Sequence, residues 1–138
     1  MKVNFVGDIK NDSGTLVFLC PKNKPLDKYL DNLNKKIKGY IEKAIRVSSM
    51  DYDNISYADI LVPQNSKANR ILLFGINQAK LDSEYELGKL GSFITSVLNK
   101  KKIKEIKLIS IPFAKRDFAE VNILYGMVLN TYRFNKYF

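Results

Sequence analysis

Histidine is absent from this 138-residue sequence, and cysteine occurs once, at Cys20. The first absence removes the commonest general base at neutral pH and the usual nitrogen ligand of zinc. It also leaves the serines and Cys20 without the ordinary activating partner of a nucleophile. A lone cysteine excludes an internal disulfide, and its apolar setting, TLVFLC, predicts a buried free thiol in a reducing compartment. Glycine is scarce and scattered: none of the seven stands in a GG or GxG cluster, so no glycine-rich phosphate cradle is written into the chain. The 14 carboxylates are scattered too, and the pair Asp51 and Asp53 has no further converging ligands for a two-metal centre. No apolar run approaches a membrane span, and MKVNFVGDIK lacks the apolar heart of a signal peptide. A cytoplasmic location without membrane contact is the expectation.

What is present suits one globular domain. A hydrophobic share of 46% over this length supports a single core and leaves little room for a second. The net charge of +9 comes mostly from lysine. Lys100, Lys101, Lys102, Lys104 and Lys107 form the densest basic cluster, with Lys115 and Arg116 after the next strand. Such a cluster can neutralise phosphates without reading bases, which makes weak, non-specific DNA contact a possible role beside plain solvation. Lysines near a helix end also complement its dipole.

Apolar patterning divides the chain into alternating elements. Lys2–Val6 and Thr15–Cys20 read as strands, the second apolar enough to be covered on both faces. Leu26, Leu30, Leu33, Ile37, Ile41, Ala44 and Ile45 keep helical spacing, with Gly39 inside the run. Tyr57–Val62 and Arg70–Phe74 predict antiparallel strand neighbours joined by a short loop. A helix follows, capped by Asp82 or Ser83, with Leu87, Leu90, Phe93, Ile94, Val97 and Leu98 as its buried face. Gly88 and Gly91 on that helix predict close packing on the sheet. Ile106–Ile111 is the last strand, and Asp117 is the expected cap of a terminal helix. On that helix Val121, Leu124, Tyr125, Val128 and Leu129 form an apolar stripe, while Ala119 and Gly126 would admit a close neighbour. The order predicts an α/β fold, with helices on both faces of a mixed sheet.

Three stretches carry a family resemblance. RILLFGINQAKLD (Arg70–Asp82) resembles a strand-turn-helix entry in the N-terminal domain of the leucine (cytosol) aminopeptidase family. KVNFV and TLVFL resemble that domain's first two strands, and YGMVLNTYRFNKYF resembles its closing Tyr-Arg-Phe-(Asp/Asn)-Lys-Tyr signature. Asn77 departs from the pattern, standing where a second glycine is common; asparagine tolerates a left-handed backbone, so the turn can survive.

The resemblance implies a three-layer α/β/α, macro-domain-like fold. It also implies a non-catalytic domain over residues 1–134, with 135–138 starting a linker to a catalytic domain. The family's enzymes remove N-terminal residues, leucine especially, using two divalent metals such as zinc or manganese, and they assemble as hexamers. Their metal-ligand motif, NTDAEGRL, has no match here, so this chain by itself is expected to be inactive and to carry no cofactor. Its expected partners are a catalytic domain, reached through Tyr132, Arg133, Phe134, Tyr137 and Phe138, and, for the full-length protein, its own copies in a hexamer. That hexamer is built mainly through the catalytic domains, with the assembly of this chain alone left open. Some bacterial members of the family also bind DNA. Macro domains bind ADP-ribose, which leaves a nucleotide-binding module as an alternative, with Gly75, Asn77 and the following helix start as the one candidate cradle. Otherwise that segment is a plain turn.

Overall fold

The computed structural model describes residues 2–6, 14–22, 39–61, 68–109 and 116–136. Five strands form one sheet: β1 (Lys2–Val6), β2 (Gly14–Pro21), β3 (Ser56–Leu61), β4 (Ala68–Ile76) and β5 (Glu105–Ile109), in the order β1-β5-β2-β4-β3. Strand β2 runs parallel to both β4 and β5, and β3 runs antiparallel to β4. The helices are α1 (Tyr40–Ser48), α2 (Glu84–Lys100) and α3 (Arg116–Lys136), with a 3-10 turn at Gln78–Lys80. The α/β class and the mixed sheet follow the alternation in the sequence. Among the described residues, no helix is long and apolar enough to cross a membrane.

Two compact units make up the chain: residues 3–77 with 106–112, and residues 1–2 with 78–105 and 113–138. The first holds the sheet and α1. Leu16, Phe18 and Cys20 of β2 share one sheet face with Ile71 and Leu73 of β4 and with Ala58 and Ile60 of β3, and Ile41 of α1 joins that cluster. The alternate residues Val17, Leu19, Leu72 and Phe74 are buried as well. Burial on both faces explains why β2 and β4 read as unbroken apolar runs. At about 1.5–3 kcal/mol for each large side chain removed from water, this cluster dominates the stability of the unit. Strand β3 alternates instead, with Ala58 and Ile60 buried and Tyr57 and Leu61 exposed, as suits a sheet edge.

Gly39 is not inside a helix. It is the N-cap of α1, with φ 78° and ψ 12°, a left-handed backbone that interrupts the run of helical spacing. The earlier half of that expected helix, Leu26–Ile37, lies outside the described residues, as do Val62 and the expected strand end at Ser110 and Ile111.

The second unit is built on α2 and α3. Ser83 caps α2, its Oγ accepting from the Glu86 N–H at 3.2 Å, and Glu84 and Glu86 favour the positive end of the dipole. Leu87, Leu90, Ile94, Val97 and Leu98 are buried as expected, whereas Phe93 is half-buried. A methyl group built on Gly91 would overlap the Ile123 carbonyl, and one on Gly126 would overlap the Gly88 backbone. Gly91 and the Gly88 backbone of α2 therefore meet α3, a correction to the sheet packing expected of the two glycines. Asn130 Nδ2 donates to Ser92 Oγ across the same crossing at 2.9 Å. Helix α3 begins at Arg116, so Asp117 lies in its first turn and is not its cap. The expected domain limit at 134 falls inside this helix.

Candidate functional site

Parallel strands place their C-terminal ends where open α/β sheets usually take ligands. In this chain the ends of β2 and β4 bring together Lys22, Asn77 and the segment 49–56. Asp51 organises that segment: one carboxylate oxygen accepts from the N–H groups of Asp53 (3.0 Å) and Asn54 (3.3 Å), the other from Asn54 Nδ2 (2.9 Å). The Asp51 N–H donates to Ser56 Oγ, which donates back to the Asp51 carbonyl. Asp53 reaches the strand ends, accepting from Asn77 Nδ2 at 3.0 Å and pairing with Lys22 Nζ at 3.5 Å. That ion pair is half exposed and contributes little by itself.

This geometry decides two expectations. Asn77 is not left-handed: the described non-glycine residues with positive φ are Ser49, Ile55 and Lys102. Its side chain donates to Asp53 instead. Gly75 is packed from the side, since a Cβ there would come within 2.5 Å of Met50 Cγ and 3.0 Å of Tyr52 Cδ1. Its small size makes room for Met50 and Tyr52, so Gly75 and Asn77 form a filled turn. Burial, and then the charge of nearby Cys20, push the Tyr52 hydroxyl above its ordinary pKa of 10.0.

A two-metal centre does not fit Asp51 and Asp53, whose carboxylates are committed to backbone N–H groups, Asn54, Asn77 and Lys22. Among the described residues, no three His, Cys, Asp or Glu side chains come together as a metal site.

The basic cluster divides between two elements. Lys100 ends α2, and the chain then closes a Schellman turn: Ile103 N–H bonds the Leu98 carbonyl at 2.9 Å, and Lys102 N–H the Asn99 carbonyl at 3.1 Å. Ile103 is nearly buried beneath the turn. Lys102 takes the left-handed position, φ 57°, that usually belongs to glycine. Lys100, Lys102 and Lys104 are exposed and Lys101 is half-buried. Lys107 belongs to β5, where its side chain is half-buried on the sheet face opposite Ile106 and Leu108. Lys115 and the side chain of Arg116 lie outside the described residues.

The exposed face of α3 is the feature whose orientation the sequence did not give. Val121, Tyr125 and Val128 are 65%, 63% and 57% exposed, and Phe118, Leu124 and Leu129 more than a third. The buried face is instead the narrow strip Ala119, Ile123, Gly126 and Met127. Tyr132, Arg133 and Phe134 continue α3, but their side chains, like all of Tyr137 and Phe138, lie outside the described residues.

The chain matches no known family profile. A probable cytosol aminopeptidase of Nitrobacter winogradskyi is 22% identical over 138 residues, covering 99% of this chain and 28% of that protein. The chain thus spans little more than a quarter of that relative's length. The similarity is distant, and it lies in the relative's N-terminal part.

Proposed function

We propose that this chain is a non-catalytic module of an aminopeptidase-like protein, in which removal of N-terminal residues, leucine among them, is done by a region outside it. The similarity that runs through 99% of this chain, yet takes in only 28% of the aminopeptidase, carries the reading. In that reading the module serves assembly, regulation or substrate access. Tyr132, Arg133, Phe134, Tyr137 and Phe138 contact the catalytic region, which holds two zinc or manganese ions, and the whole protein is a cytoplasmic hexamer. The committed carboxylates of Asp51 and Asp53 and the lack of histidine support catalytic silence of the module itself. The purified chain should not hydrolyse leucyl amides with or without zinc or manganese. Metal-dependent turnover that survives contamination controls overturns the reading.

A second reading rests on the exposed lysines around the α2 C-terminus. Lys100, Lys102 and Lys104, with Lys101 and Lys107, could contact DNA phosphates without base recognition. For about four phosphate contacts, log K should fall with log salt at a slope of roughly −3.6. Replacing Lys100, Lys101, Lys102 and Lys104 by glutamine should flatten it; an unchanged slope assigns the lysines to solubility. For an ADP-ribose-type nucleotide the filled turn at Gly75 is unfavourable, and calorimetry should show no micromolar binding.

A further inference from the structure

The segment between α1 and β3 is built as a small rigid turn on two unusual ends. The Asp51 carboxylate gathers the N–H groups of Asp53 and Asn54 and the Asn54 side chain, so residues 51–54 hold one shape by themselves. Two sets of polar contacts fasten that turn to the sheet. Ser56 Oγ, at the start of β3, bonds the Asp51 N–H and carbonyl, while exposed Asp53 takes Asn77 and pairs with Lys22. Beneath the turn, half-buried Met50 and Tyr52 pack on the cluster that contains Cys20 and occupy the room left by Gly75. Gly75 and Cys20 are partners in the β2–β4 register, hence neighbours on one sheet face. Both ends of the segment are left-handed: Ser49, where α1 stops, has φ 49° and ψ 53°, and Ile55, just before β3, has φ 49°. A β-branched residue rarely takes that backbone, so Ile55 is strained while the segment lies closed.

We propose that residues 49–55 form a strap that opens as one piece about Ser49 and Ile55, uncovering Gly75 and the Cys20 thiol while the sheet and α1 stay folded. Opening breaks the Ser56 and Asp53 contacts, lifts Met50 and Tyr52 off the strand ends and releases the strain at Ile55. The fastening contacts of Asp53 are half exposed, where water replaces them at small cost. The residues below, Leu16, Phe18, Ile71 and Leu73, belong to the fully buried centre and separate only when the whole unit unfolds. Cys20 is fully buried, yet its accessibility is governed by the strap and not by the core. The place uncovered is the carboxyl end of parallel strands, where open α/β sheets take ligands, so in the closed chain the strap occupies that place itself. The inference does not depend on the aminopeptidase reading.

Cys20 is the only thiol, so its reaction with dithionitrobenzoate reads the open population directly when reclosing outpaces the chemistry. The test follows that reaction in the 138-residue chain from buffer into urea, with circular dichroism to confirm that each variant is folded. In buffer the rate should depend on urea far less steeply than global unfolding does, because little surface is exposed. Asp53→Ala, which keeps the backbone N–H that Asp51 binds, should speed labelling about five- to tenfold, and Ser56→Ala should act in the same direction. Val17→Ala, at a buried position on the opposite sheet face, lowers global stability and should leave labelling in buffer within about twofold. Labelling with the full urea slope of unfolding overturns the proposal. So does a Val17→Ala chain whose labelling rises in step with its loss of stability, since Cys20 is then reached only by unfolding. Failure of either Asp53→Ala or Ser56→Ala to speed the reaction overturns it as well.

Discussion

The sheet and the helix pair treat large apolar side chains and glycines in opposite ways. In β2 and β4 the side chains from Leu16 to Cys20 and from Ile71 to Phe74 are all buried, whichever sheet face they point to. In α3 six of the largest apolar residues remain exposed, and the contact with α2 is made by Ala119, Ile123, Gly126 and Met127. Glycine explains the contrast. Gly75 gives way to two side chains, Met50 and Tyr52, which come down onto the strand. Gly91 and Gly126 give way to backbone, and a crossing that tight leaves its contact strip too narrow for large residues. A helix with apolar residues around more of its circumference than the strip can hold must leave some outside.

The largest expected effect tests the burial half of the comparison. Phe18→Ala, at a fully buried position, should lower stability by about 3–5 kcal/mol in chemical denaturation. Val121→Ala on the exposed stripe should stay within about 0.5 kcal/mol at concentrations where the chain is monomeric. Equal losses would break the distinction between the two regions. The glycines come next. Gly126→Ala must displace the Gly88 backbone and should cost about 1–3 kcal/mol, the usual range for overpacking. Gly75→Ala should cost less, because Met50 can swing aside. Gly88→Ala, whose Cβ would meet only the Asn122 carbonyl at 4.0 Å, should gain up to about 1 kcal/mol from helix propensity. Thermal melts of the three variants would rank them.

Smaller effects sharpen the same picture at the ends of the elements. Lys102→Gly relieves a left-handed lysine in the turn after α2 and should stabilise by up to about 1 kcal/mol. A loss would mean that the lysine side chain contributes more to the turn than its backbone costs. Tyr52, which covers Gly75, titrates above 10.0 in the folded chain because burial and then Cys20 oppose the phenolate. Its neutral form therefore supports folding fully below pH 10 and loses that contribution as pH rises through the raised value. Absorbance of the tyrosinate should show Tyr52 titrating late, and Cys20→Ala should bring it earlier. Tyr52 titrating at or below 10 would contradict the packing of loop 49–56 on the strand.

Strand positions were legible because burial on two faces forces an uninterrupted apolar run, as in TLVFLC and RILLF. The cap of α2 was legible to within one residue, Asp82 or Ser83, and the structure chose Ser83, whose hydroxyl faces the Glu86 N–H. The pattern also paired β3 with β4, since a short loop permits little else. Gly39 was misread: an amphipathic period continues through a glycine on paper, while its left-handed backbone makes it the N-cap of α1. The turn at Gly75 and Asn77 depends on Met50, Tyr52 and Asp53, which are distant in sequence, so its filling could not be read locally.

By itself the sequence determined the apolar runs, the α/β class and the exclusion of histidine chemistry, because each follows from which residues are present and at what spacing. Tertiary structure decided which of the two apolar arcs of α3 is used. Both arcs have helical period, and only the meeting of Gly91 with Ile123 and of Gly126 with Gly88 selects one and leaves Val121, Tyr125 and Val128 facing solvent. Periodicity tells that a helix has an apolar side, but close contact with a second backbone determines which side is covered.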